Sequence, residues 1–273
     1  MRFPGLLLKL IALSGGGLML VKSSCAQVST NRFSFNDYLL APVRIHLLLA
    51  RDSPAVQTTL TERDIARILG KMNGIWAQAG LHFYLESLVR EEANAPEGAP
   101  QPGEAASGRW LLGLRPTESK GAGLFHIYYL KRMSVNGIYL REAIFVKDTA
   151  SLREVDGGID EPIPRVSSHE LGHALGLPHR QNTTNLMASG TTGTWLSSEE
   201  ISQSRETAQS FDWIKRASDL MENANAAFSA NKRPEAATLY SRLATIPLKA
   251  EQVELARKRL AETTGTRARS PGN

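Results

Sequence analysis

The stretch His169-Glu170-Leu171-Gly172-His173-Ala174-Leu175-Gly176-Leu177-Pro178-His179 puts three histidines, one glutamate and a turn-making glycine into one helix and its exit. Four residues separate His169 from His173, about 400° of helical rotation, so both imidazoles fall on one face a turn apart. Glu170 lies about 100° round from His169, off that face, placed to hold a water rather than to join as a further helical ligand. Gly176 can take the left-handed conformation that ends a helix, and the turn swings His179 back beside the other two. Three imidazoles and an open fourth position describe a catalytic zinc site, with metal–nitrogen distances of ~2.0–2.1 Å, rather than a closed structural one. The competing reading is an amphipathic helix carrying a few surface histidines. Adding Gly176 and His179 to the short His-Glu-x-x-His pattern makes that coincidence rare.

These residues resemble the metzincin metallopeptidase signature, His-Glu-x-x-His-x-x-Gly-x-x-His followed by a methionine turn. Met187, in Asn185-Leu186-Met187-Ala188-Ser189-Gly190, is the matching methionine. The resemblance covers roughly residues 42–210, and its specific part is 169–190. It implies an α+β fold, a metzincin-like catalytic domain with a mixed five-stranded twisted sheet, a backing helix and an active-site helix. It also implies one catalytic Zn2+ held by His169, His173 and His179, with Glu170 as general base toward a zinc-bound water. Gly176 and Met187 would be structural at the site, Met187 as a hydrophobic floor under the imidazoles. The substrate class it implies is a peptide or protein bound extended along the edge strand.

Two positions depart from particular branches of that family. Arg180 matches none of the residues that mark a subfamily after the third histidine. Ser189 stands where astacin-like and serralysin-like members carry a tyrosine ligand, so the pappalysin-like and matrixin-like branches both remain open. In the family the segment after the methionine turn walls the pocket beyond the scissile bond. Here that segment ends in Trp195, which either lines the pocket or packs as core beneath the next helix.

The amino-terminal residues read as a secretory leader. Arg2 and Lys9 precede an apolar run from Leu10 to Val21, and Ser24-Cys25-Ala26 has the small-x-small form of a cleavage site. The run is shorter than the ~20 residues a membrane-spanning helix needs. A signal peptide over residues 1–26, cut after Ala26, is therefore expected, and a secreted or periplasmic protein with it. A lipoprotein anchored through Cys25 is the alternative, which Lys22 fits poorly. Losing Arg2, Lys9 and Lys22 would bring the formal charge from +5 to about +2, so the basic balance says little about partners. No Lys/Arg cluster interleaved with aromatics marks a nucleic-acid groove. Cys25 is the single cysteine, so after cleavage neither disulfides nor a thiolate that plugs the zinc would be available.

Periodicity places the elements around the motif. After an N-terminal segment, 27–41, the run Val43–Leu49 reads as a buried strand. Thr61 and Asp64 read as a helix start, and Ile65, Ile68, Leu69, Met72, Ile75 and Trp76 recur at helical spacing until Gly80 stops them. Strands are expected at 81–88, 124–129, 137–140 and 143–146, with an exposed loop over 93–107. The active-site helix opens near Pro164, because proline is tolerated in a first turn. Residues 42–212 would form the peptidase domain. Residues 213–262 follow as an all-helical extension, either a hairpin that resembles one tetratricopeptide-like unit or a helical cap packed on the catalytic domain, with a last helix near 250–261; residues 263–273 read as a disordered tail. His46, His82 and His126 sit in strand patterns and are expected to be structural, and Asp37 to be a solvated N-terminal residue.

The expected function is a secreted zinc-dependent endopeptidase. The rival is a non-proteolytic zinc-binding interaction protein on the same scaffold, with the C-terminal helices binding a protein partner. Glu170 argues for catalysis, since a pure binding site has no use for a carboxylate there.

Overall fold

Leu39–Leu49 (β1) is a mostly apolar run, as a strand buried on both faces is. It forms the centre of a sheet. The computed structural model describes residues 33–265 apart from 51–52, 54–55, 95–106 and 142. The leader, Cys25, residues 27–32, most of the 93–107 loop and the end of the tail lie outside the described residues.

After β1 the chain enters α1 (Glu62–Trp76) through a reciprocal cap. The Asp64 N–H donates to Thr61 Oγ1, and the Thr61 N–H donates back to the Asp64 carboxylate at 2.9 Å. Ile65, Ile68, Met72, Ile75 and Trp76 make its buried stripe. Gly80, at φ 59°, then turns the chain into β2 (Leu81–Glu92), which lies parallel to β1. A short helix α2 (Gly108–Gly113) precedes β3 (Phe125–Leu130), β4 (Gly137–Leu140) and β5 (Ala143–Lys147). Next come α3 (Pro162–Ala174), α4 (Ser198–Ser210) and a two-residue strand β6 (Lys215–Arg216). The chain closes with α5 (Ala217–Ser229), α6 (Arg233–Ala244) and α7 (Glu251–Thr264).

The sheet runs β2-β1-β3-β5-β4, with β6 added beside the start of β1. β2, β1, β3 and β5 are mutually parallel, while β4 is antiparallel and, among the described residues, unpaired on its outer side. The fold is thus a mixed α/β arrangement on a mostly parallel sheet. Alternation along β1 divides its side chains between cores. Val43, Ile45 and Leu47 meet α1 and α3 on one face, and Leu40 and Leu48 enter separate clusters on the other.

Element bounds and the sheet differ from the expected organisation in three places. β1 begins at Leu39 rather than Val43, so the boundary at residue 42 falls within a strand. Pro42 marks that place in the sequence, yet it sits between the part of β1 paired to β6 and the part paired to β3. On that side no ladder bond is missing for want of a proline N–H. The sheet gains β6, too short to show periodicity. Helix α7 runs to Thr264, past the expected start of the tail at 263. Apart from those differences, Leu220, Tyr240 and Leu243 of helices α5 and α6 bury themselves with Tyr38 and Leu40 of the N-terminal stretch. Among the described residues no helix is long and apolar enough to cross a membrane.

Candidate metal centre

Helix α3 opens with Pro162 and carries Pro164 in its first turn; its residues from Pro164 to Gly172 are buried. It ends in a double hydrogen bond, Leu177 N–H to Gly172 O at 2.9 Å and Gly176 N–H to His173 O at 3.0 Å. That closure needs a left-handed residue, and Gly176 supplies it at φ 83°. The turn brings His179 to the two helical histidines.

The three imidazoles converge through Nε2. The separation is 3.1 Å from His173 to His169 and 3.1 Å from His173 to His179, and the three ligand atoms lie within 4.8 Å of one another. The Nδ1–H of His169 donates to Leu186 O and that of His173 to Leu177 O, both at 2.8 Å. With Nδ1 carrying the proton, each Nε2 presents a lone pair. Lone pairs pointed at one another over 3.1 Å repel unless a cation sits among them. Tetrahedral coordination at ~2.0–2.1 Å would space such nitrogens about 3.3–3.4 Å apart, so the donor set fits a zinc ion with little adjustment. Burial, reinforced by the Arg165 charge, pushes His169 down to about 3, and burial also lowers His173. Both are held as neutral ligands.

Glu170 is buried one position along, its carboxylate against β4 and lining the same cleft as the three histidines. Its carboxylate accepts from the backbone N–H of Tyr139, and a Cβ placed on Gly137 would lie 2.8 Å from its Oε1. Burial pushes Glu170 up to about 7, against the opposing effects of that hydrogen bond and the Arg165 charge. Met187 is fully buried below α3. Its N–H donates to Asn185 Oδ1 at 2.6 Å and its carbonyl accepts from Arg180 N–H at 2.9 Å.

Two buried charges that hold this turn escaped the sequence reading. Arg165 lies one helical turn before His169 and is 2% exposed. Its guanidinium donates to the carbonyls of Gly193 at 3.1 Å, Asn185 at 3.4 Å and Ala188. It thereby ties both ends of the methionine turn to the helix. Glu200 of α4, 1% exposed, accepts from Arg180 Nε at 2.9 Å, Asn185 Nδ2 at 2.7 Å and Ser197 N–H at 2.8 Å. The residue after the third histidine, Arg180, is therefore a strut between that histidine's loop and α4. The available signal was Arg165 itself, a cation in register with the apolar face of the helix.

A cleft of about 500 Å3 opens over the histidines, walled by Gly137 and Tyr139 of the free edge strand β4 and by Ser189 and Gly190. Trp195 is not among the residues lining it. Its side chain is 50% exposed, so it is not core either. Its backbone N–H donates to Thr184 O and its carbonyl accepts from Leu186 N–H. The remaining histidines stand apart from the cluster. His46 and His126 bond to each other at 2.9 Å, and His82 bonds to Thr245. Asp37 caps the turn that precedes β1 through Ser34.

No family model and no curated protein matches the sequence. Among solved structures the chain is similar to the archaemetzincin of Methanopyrus kandleri, with 13% identity over 62% of this chain and 96% of that one, at a TM-score of 0.43. It is also similar to metalloproteinase-II of Bacteroides fragilis, with 13% identity over 62% of this chain and 53% of that one, at a TM-score of 0.37.

Proposed function

We propose that the chain is a secreted zinc-dependent endopeptidase of the metzincin type, its subfamily open between pappalysin-like and matrixin-like. The observation that carries this reading is the convergence of three Nε2 atoms beside a buried carboxylate that forms no ion pair among the described residues. His169, His173 and His179 would hold the ion, and Met187 floors the site. When bound, zinc supplies a water acidified toward neutrality and a Lewis acid for a carbonyl. Glu170 Oε1 and Oε2 accept the proton of the attacking water and return it to the departing nitrogen. The free edge of β4 offers backbone groups for an extended peptide. Arg165 and Glu200 keep the wall opposite that edge in place. Secretion is supported by the leader pattern of residues 1–26.

The interaction-protein reading needs free apolar surface on the C-terminal helices. Among the described residues the large exposed apolar side chains are Leu85, Val135, Trp195 and Leu255, and only Leu255 lies on those helices. The catalytic reading is tested with zinc-loaded wild type and Glu170→Gln on an unfolded protein substrate. The variant should keep its zinc and lose hydrolysis by ~10²–10⁴-fold. Equal turnover by the two proteins would remove Glu170 from the chemistry.

A further inference from the structure

We propose that the cavity at the starts of β3 and β5 is an acid-selective subsite, taking an Asp or Glu side chain of the peptide bound in the catalytic cleft. The proposal rests on the peptidase reading only for where the peptide lies, and the experiment below separates the two.

The cavity holds about 290 Å3, room for one side chain, and Phe125, Phe211 and Trp213 line it together with Arg115, Lys120 and Arg141. Three cations and no carboxylate line it among the described residues. Lys120 and Arg141 are exposed and neither forms an ion pair among the described residues. The neighbouring Arg44, by contrast, is neutralised by Glu86 at 3.0 Å. Cations gathered over aromatic walls form a local well of positive potential, where a carboxylate gains more than it would in open water.

Arg141 adds a second observation. It lies in the turn that follows β4, at φ 42°. Such a turn favours asparagine or glycine, and an arginine there is strained. Strain of this kind points to a side chain wanted for what it does. Arg141 is one of the residues that line the cavity.

Geometry joins this cavity to the cleft. Tyr139 lines both, and Gly137, two residues earlier on the same strand, lies against Glu170. A peptide laid along β4 advances about 3.3 Å per residue beside it. An acidic residue about two to four positions to one side of the scissile bond would reach Lys120 and Arg141.

The test measures binding of peptide pairs that differ only by Glu or Gln at one position, scanned along the peptide. The protein is zinc-loaded Glu170→Gln, with and without Lys120→Gln/Arg141→Gln, and circular dichroism checks each fold. One position should favour Glu by ~10-fold at low salt, and the added pair of substitutions should reduce that to under ~2-fold. No preference at any position, a preference that survives both substitutions, or no peptide binding at all would overturn the proposal. If the preference is present and the wild type hydrolyses nothing, the subsite stands and the peptidase reading falls. If the wild type cleaves without any preference for Glu, the subsite falls and the peptidase reading stands.

Discussion

A Cβ on Gly172 would sit 2.5 Å from Met187 Sδ. The glycine inside the histidine motif is thus the hole into which the methionine of the turn fits, and the two segments specify each other. Gly172→Ala should destabilise the protein by about 1–3 kcal/mol through overpacking. Thermal unfolding checks it, and a wild-type melting temperature would mean that Met187 simply moves aside.

Arg165 should prove as important to the site as a ligand, although it binds no metal. Its three carbonyl acceptors come from Asn185, Ala188 and Gly193, and lysine cannot reach them all with one ammonium. Arg165→Lys should destabilise by roughly 1–3 kcal/mol or more, the cost of leaving buried carbonyls unpaired. It should also speed limited proteolysis between residues 180 and 195. Unchanged cleavage there would show that the turn is held by Glu200 alone.

Much of the site was legible because it is written locally. The spacing of His169, His173, Gly176 and His179 places them within one helix and its cap, and local geometry does the rest. The long helix α1 was equally readable from its capping box and apolar stripe. The capped start of α4 at Ser197 and Glu200 was readable too, but the reach of Arg165 and Glu200 to the methionine turn was not, because those partners lie about 15–28 residues away and no spacing rule records such a contact. Trp195 does not meet the core expectation, since a large aromatic after a loop reads as buried while this one is half exposed. The packing of α5–α7 on Tyr38 and Leu40 was hidden for the same reason: the sequence shows which face is apolar, not what it meets.

Gly137 offers a way to move the base without touching it. A Cβ there would meet Val166 Cγ1 at 2.5 Å and Glu170 Oε1 at 2.8 Å. Gly137→Ala should therefore keep its zinc while kcat falls, by up to ~10²-fold, as expected for a displaced catalytic group. A loss confined to KM would place the effect on peptide binding along β4 instead.

Acid should weaken the fold through His82, far from the metal centre. Its Nε2–H donates to Thr245 Oγ1, which itself donates to Arg242 O, and Nδ1 is buried without a partner. Protonating Nδ1 would bury an unpaired N–H, and burial pushes His82 down to about 3. Because the folded value lies below the unfolded one, this stabilisation is present above pH ~6.5 and lost as pH falls toward ~3. The slope from this one residue is at most ~1.4 kcal/mol per pH unit. Urea unfolding at pH 7 and pH 5 should show a smaller difference for His82→Gln than for wild type. Parallel losses in the two proteins would assign the acid sensitivity elsewhere.

The central claim is that His169, His173 and His179 hold one zinc ion, and metal analysis of the purified protein tests it most directly. Wild type and Glu170→Gln should each carry about one zinc per chain, and His173→Ala/His179→Ala should carry almost none while retaining its helical content. Equal zinc in wild type and the double variant, or none in either after exposure to zinc, would contradict the account.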